Sequence, residues 1–300
     1  MALWRPVGDE SRPLLLSVDF EDWHQLMRRR IGIEGWERPG PALQRQTERL
    51  LALLDELGVK ATFFVLGMTG RSYPSLVERI VASGHEIGCH GDMHQLVSGQ
   101  NRDEFAADLR EACRTIEELT GRRPVGYRAP AFSITRDAEW AYEVLTEEGF
   151  GYDASQHDSP RIRGRMVPLA RAPHPLQLRA GVLWEFPIAV WRGRNWRVPV
   201  GGASYWAVLP RRLILRALAD SGELAALYLH PHELDPLPLR ACLAHPATTT
   251  QRVHGQLRSA QRNLARRRAP EVLRAIAKRH PLITYGEAHG RLARGPSART

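Results

Sequence analysis

From Leu14 onward, short apolar runs alternate with amphipathic helical segments, and this alternation limits the fold more than any other feature of the chain. The run "LLLSVDF" reads as a buried strand. The segment "ALQRQTERLLALLDELG" carries Leu43, Leu50, Leu54 and Leu57 at helical spacing and stops at Gly58, a residue suited to a helix C-cap. Strand-like "ATFFVLG", "HEIGCHG", "PVGYRAP" and "FGYDAS" then alternate with helical "SLVERIVASG", "DEFAADLREACRTIEELTG" and "DAEWAYEVLTEEG". A less regular stretch over 156–209 contains the strand candidate "VLWEFPIAVW". Helical "PRRLILRALADSG", strand-like "LAALYLHPHE" and a short final strand "PLITYGE" follow. About eight strands alternating with helices predict a mostly parallel α/β sheet, open or closed into a barrel. No repeat, low-complexity segment or linker divides the chain, so one domain over 1–300 is expected.

Composition narrows the class. The apolar runs are far shorter than the roughly 20 residues of a membrane span, so no transmembrane segment is expected. The N-terminus reaches Asp9 and Glu10 before any long apolar run, unlike a secretory leader, which leads to the expectation of a cytoplasmic protein. Cys89, Cys113 and Cys242 are odd in number and irregularly spaced, which argues against a disulfide framework or a thiolate zinc site. The net charge of +9 invites an anionic partner, but only Lys60 and Lys278 among the 42 basic residues are lysine. Such a skew follows as readily from a GC-rich genome. The densest basic tract, from Arg258 on, belongs to a helical pattern with Leu257, Ala260 and Leu264 on one side and arginines largely on the other, which predicts a packed helix with a solvated basic face. No nucleic-acid module or interleaved basic and aromatic tract is present, and no nucleic-acid partner is expected.

Chemistry concentrates at predicted strand ends. Asp19, Glu21 and Asp22 crowd three carboxylates into four positions, an arrangement that needs a metal, an arginine or bulk water to compensate it. "HGDMH" sets His90 and His94 four apart, so that on a helical turn both imidazoles project to one side. Arg128, Asp153 and His230 also fall at strand ends, and in α/β barrels those ends converge on the active-site face. Two imidazoles with one carboxylate suit zinc or a similar divalent ion, and the absence of HExxH excludes a zincin. Strand alternation puts Glu21 on the side of Asp19, whereas Asp22 lies at the turn; either can be the metal carboxylate.

The motifs "SVDFED", "HGDMH", "RAP" and "LYLH", in that order over about 14–286, resemble the NodB-type polysaccharide deacetylases. "DFEDW", "YRAPAFSI" and "HPHELDP" look most like the branch associated with exopolysaccharide gene clusters. The resemblance implies an irregular (β/α) barrel with about seven or eight mostly parallel strands. It implies a metal-dependent hydrolase that removes N-acetyl groups from a sugar, with zinc favoured and cobalt or nickel possible.

In that family's terms Asp19 matches the base, Arg128 the arginine that orients it, and His230 the acid that protonates the leaving amine. Asp153 is the candidate to orient or polarise His230. His90 and His94 match metal ligands, with Glu21 or Asp22 beside them. Ala131 and Phe132 follow "RAP" at the acyl subsite, where the family often has one aromatic residue. Gly91 stands where a Ser or Thr commonly follows the first metal histidine, so a hydrogen bond that fixes the metal loop is missing from the pattern. Trp23, Trp184, Trp191 and Trp206 are candidates to stack on sugar, with core packing the plain alternative; Trp23 and Trp184 are the preferred pair. The competing functions are a cyclic amide or ureide hydrolase on the same fold and a non-catalytic glycan or nucleic-acid binder.

Overall fold

The computed structural model describes residues 12–158, 170–193, 196–243, 247–263 and 268–294. Strand β1 (Leu14–Phe20) is buried throughout, and its pleat sends side chains alternately into two environments. Leu14, Leu16, Val18 and Phe20 join the outer core beneath the helices, while Leu15 joins a separate inner cluster. Asp19 shares the parity of Leu15, so the strand itself aims this carboxylate inward.

Helix α1 (Trp23–Arg30) follows immediately, and α2 (Leu43–Glu56) buries Leu43, Leu50 and Leu54 as their spacing predicts. Strand β2 (Thr62–Val65), helices α3 (Gly67–Ser72) and α4 (Pro74–Ala82), and strand β3 (Glu86–Cys89) come next. Helix α5 (Arg102–Thr120) opens on a reciprocal Asn101/Glu104 capping box and closes at left-handed Gly121. Strand β4 (Gly126–Tyr127), helix α6 (Trp140–Glu147) and strand β5 (Tyr152–Asp153) complete the regular alternation.

Beyond it lie the hairpin β6 (His174–Leu178) and β7 (Gly181–Glu185), a small pair β8 (Val190–Arg192) and β9 (Arg197–Pro199), and helices α7 (Ala203–Trp206) and α8 (Arg211–Ala219). Strand β10 (Ala226–Leu229), helices α9 (Thr249–Asn263) and α10 (Ala269–Ala277), strand β11 (Leu282–Ile283) and helix α11 (Tyr285–Ala293) end the described chain.

The main sheet runs β10-β1-β2-β3-β4-β5-β7-β6, with β11 also paired to β1, and every pairing is parallel except β6 with β7. The sheet curls far enough for Ile188, just past β7, to form a parallel bridge with Ala226 of β10. The result is the irregular, mostly parallel α/β barrel that the motifs imply. Among the described residues no helix is long and apolar enough to cross a membrane.

Three local expectations change. "VLWEFPIAVW" is two strands, β7 and β8, broken around Pro187, which has no N–H for a ladder. His90 to His94 do not form a helical turn; Gly91 and His94 adopt φ of 78° and 52°, and the loop bends instead. Helix α9 turns its small residues inward. Gly255 and Ser259 are buried whereas Leu257 is 62% exposed, the reverse of the predicted face, and Leu264 lies outside the described residues. A Cβ on Gly255 would meet that of Ala241 at 2.9 Å, and the Ser259 hydroxyl accepts from the Ala241 N–H at 2.9 Å. Close approach and hydrogen bonding, rather than leucine burial, seat this helix.

Candidate active site

Arg128, fully buried at the end of β4, organises the base of the site. Its Nη1 donates to Asp19 Oδ1 and to Ser17 Oγ, each at 2.7 Å, its Nη2 to the Tyr285 hydroxyl at 2.7 Å, and its Nε to the Ala154 carbonyl at 3.1 Å. The guanidinium lies 4.3 Å over the Phe64 ring. A buried charge with so many partners is held in one place, and Asp19 is held with it.

The Glu21 carboxylate faces His94 Nε2 at 3.1 Å and His90 Nε2 at 3.9 Å. Its other oxygen lies 3.4 Å from His230 Nε2. Burial opposes ionisation of Glu21, but His230, His94 and His90 outweigh it and hold the carboxyl well below the usual carboxylate range. His90 Nδ1 pairs with the Arg128 carbonyl at 2.8 Å, which leaves Nε2 to face Glu21. Donor atoms of Glu21, His90 and His94 lie within 4.8 Å of one another, close enough to share one divalent ion.

Asp22 goes elsewhere. It accepts from the His24 N–H at 2.8 Å, the Gly40 N–H at 2.6 Å and the Tyr73 hydroxyl at 2.6 Å, capping α1 and tying down the 37–40 loop. Of the two carboxylates left open by the sequence, Glu21 faces the histidines.

The loop that carries the histidines is fixed from below. Asp108 of α5 accepts from the Asp92 and Met93 N–H groups at 2.9 and 3.3 Å, and Arg71 grips Asp92 bidentately at 2.7 and 2.9 Å. A Cβ at Gly91 would stand 2.7 Å from Asp108 Oδ2, so the glycine makes room for this brace. Left-handed backbone at non-glycine positions occurs at four described residues, of which His94, Ala131 and Phe132 line one cavity. Such strain persists only where the surroundings over-determine it.

His230, just past β10, has its Nδ1 3.1 Å from Glu233 Oε2, and Glu233 also accepts the His230 backbone N–H at 2.8 Å and bonds to the Ser204 hydroxyl. Burial disfavours the imidazolium, but Glu233, Glu21 and Asp19 together raise His230 to about 9. Asp153 was the expected partner and does not serve. It accepts from the Ser155 N–H and hydroxyl at 3.0 and 2.6 Å, and Ser155 in turn receives the Ala129 N–H at 2.8 Å. Burial raises Asp153 and its neighbour Glu185 together, so the pair braces the "RAP" loop rather than His230. The signal for Glu233 was "HPHE", since an acid three residues after a helix cap reaches back to it.

These groups open into a cavity of about 820 Å³ whose walls include Trp23, Ala131, Phe132 and Tyr228. Trp184 packs against the inner hydrophobic cluster, and Trp206 lies in the outer core; neither lines the cavity. His157 is among the lining residues that the sequence did not mark. It is 5% exposed, stacks on Phe132 at 4.8 Å, and among the described residues neither ring nitrogen has a hydrogen-bond partner. No spacing rule marks it, because only the curl of the sheet brings it here.

The curled α/β sheet thus gathers a Glu21, His90, His94 cluster at its strand ends, with Asp19 and His230 beside it. Residues 37–148 match the family Polysaccharide deacetylase, and residues 156–269 match the Domain of unknown function DUF3473. The first match spans a little over a third of the chain, and the DUF3473 match follows it. The peptidoglycan deacetylase-like protein FGM2 of Gibberella zeae is 39% identical over 110 residues, 36% of this chain and 31% of that protein. A peptidoglycan-N-acetylglucosamine deacetylase of Bacillus cereus is 34% identical over 105 residues, 35% of this chain and 38% of that one. The matched stretch therefore spans about a third of the length of these relatives. The crystal structure of a candidate polysaccharide deacetylase from Mycobacterium smegmatis superposes with a TM-score of 0.61 at 21% identity, covering 96% of this chain and 93% of the other, which shows the shared fold.

Proposed function

We propose that this protein hydrolyses the N-acetyl group of an N-acetylated sugar, as one catalytic domain, with a divalent ion held by Glu21, His90 and His94. The observation that carries the reading is the convergence of those three donor groups beside Asp19 and His230 in a cavity large enough for a sugar. The donor set favours zinc, with cobalt and nickel as alternatives. A divalent ion bound there supplies Lewis acidity and makes water more acidic.

The chain's own residues do the rest. Asp19, fixed by Arg128, takes a proton from the water that attacks the acetamide carbonyl carbon. Negative charge develops on the carbonyl oxygen, for which the Ala131 N–H in the cavity wall is the donor we assign. His230, oriented by Glu233 and 3.9 Å from Asp19, donates its Nε2 proton to the nitrogen as the C–N bond breaks, leaving acetate and a free amine. Trp23, Phe132 and His157 supply stacking and polar contact for the ring.

The test is acetate release from N-acetylglucosamine oligomers by zinc-loaded protein, in parallel with ring opening of small cyclic amides. Asp19→Asn should lower kcat by about 10²- to 10⁴-fold while the protein stays folded. Turnover of cyclic amides alone, or full activity in Asp19→Asn, would reject the reading.

A further inference from the structure

The cavity has a second chemical character that deacetylation does not require. Besides the carboxylates and histidines, its lining includes Arg29 and Arg30 of α1 and Arg258 and Arg262 of α9. Among the described residues no carboxylate lies within 4.0 Å of any of these guanidinium groups. Their hydrogen bonds go to neutral groups. Arg29 donates to the Met93 and His94 carbonyls, Arg258 to Gln261 at 3.1 Å and Arg262 to Ser204 at 3.2 Å.

Helix termini explain part of this. Basic residues in the last turn of α1 complement its dipole, which accounts for Arg29 and Arg30 being there. It accounts equally for Arg262, in the last turn of α9, but not for Arg258, one turn earlier on that helix and lining the same space. Convergence of like charge is costly: burial, then Arg258 and Arg262, hold the Arg30 guanidinium below its usual range. The seat of α9 through Gly255 and Ser259 sets this facing, so Arg258 is half-buried at the cavity rather than on a solvated face. An uncompensated cationic wall along a concave site focuses potential on an anion.

We propose that this wall receives an anionic group of the sugar substrate, so that the glycan deacetylated here is an acidic one, bearing a carboxylate or a phosphate near the scissile acetamide. The proposal rests on the deacetylase reading for its chemistry and on the arginines for its specificity. Uronate and phosphate share the oxyanion that guanidinium groups recognise. Neutral chitin-type oligomers would leave the wall unmatched.

The test compares kcat/KM for acetate release from chitotetraose, from a tetrasaccharide of alternating glucuronate and N-acetylglucosamine, and from N-acetylglucosamine 1-phosphate. Measurements use zinc-loaded full-length protein and the Arg258→Glu/Arg262→Glu double variant. We expect one anionic substrate to exceed chitotetraose by about tenfold or more at low salt, with the advantage shrinking between roughly 50 and 300 mM salt. The double variant should reduce the ratio of anionic to neutral turnover by about tenfold. Preference for the tetrasaccharide identifies a carboxylate, and preference for the sugar phosphate identifies a phosphate. Equal or better turnover of chitotetraose, or a ratio that the double variant leaves unchanged, overturns the proposal.

If no substrate releases acetate, the deacetylase reading fails and direct binding decides the arginines. Salt-sensitive affinity for an anionic probe over chitotetraose, lost in the double variant, supports the wall. Equal affinity for all probes, or tighter binding of a DNA oligomer, overturns it.

Discussion

Arg128 is bonded to Asp19 of the cavity wall and Arg258 lines the cavity itself, yet one is wholly buried with donors committed to Ser17, Asp19, Tyr285 and Ala154, while the other is half-exposed and hydrogen-bonds neutral Gln261. The same contrast separates the regions that carry them. The strand-end region from β1 to β4 is braced by buried ionic and backbone contacts that hold Asp19, His90 and His94. The wall contributed by α9 is seated by small residues and leaves its charge facing open space. A site that must move protons needs fixed groups, because small displacements cost rate steeply. A surface that selects among substrates needs unspent charge.

Breaking the comparison from the rigid side should give the largest effect. Arg128→Ala leaves the Asp19 carboxylate buried without its cation, and urea unfolding should record a loss of about 3–5 kcal/mol. Arg258→Ala, at the open wall, should stay within about 0.5 kcal/mol of the parent. Similar losses in the two variants would dissolve the distinction.

Glu233 joins the two regions, since it bonds both His230 and Ser204 at the edge of the wall. Glu233→Gln keeps the shape and removes the charge that fixes the imidazole. Steady-state kinetics should show kcat lower by roughly 10- to 100-fold with little change in stability. An unchanged kcat would return the orienting role to another residue.

A smaller effect sharpens the rigid side further. His85, at the entry to β3, accepts the Ala61 N–H on Nδ1 at 3.2 Å, and burial, with help from Lys60, pushes its pKa down to about 4. Above the unfolded pKa of about 6.5 neither state binds the proton. Between there and about 4 the unfolded chain takes it up while the folded one resists, so stability must fall as pH drops through that window. Unfolding free energies at pH 7 and pH 4.5 should differ by about 1–3 kcal/mol more in the parent than in His85→Gln. Equal differences would remove His85 from the account.

The two regions were also unequally legible. Residues whose side-chain direction follows from a regular element could be read early: alternation along β1 puts Asp19 and Glu21 on one side, and the geometry agrees. Local chemistry then separates Asp22 from Glu21, because Asp22 is absorbed by the cap of α1, by Gly40 and by Tyr73. Glu233 was legible in principle through its capping spacing but was hidden behind the more distant Asp153. The arginine wall and His157 were not legible. Their placement depends on how α9 docks and how the sheet curls, and Leu257 and Ala260 suggested a docking face that Gly255 and Ser259 occupy. Hydrophobic periodicity fails where close backbone approach and hydrogen bonds decide the packing.

The central claim is that Glu21, His90 and His94 form one metal centre from which Asp22 is excluded. The direct measurement is divalent metal bound per chain after chelation and zinc repletion, in the parent, His94→Ala, Glu21→Gln and Asp22→Asn. About one ion per chain in the parent and in Asp22→Asn, with loss in the other two, is the predicted result. Retention in Glu21→Gln together with loss in Asp22→Asn would contradict it.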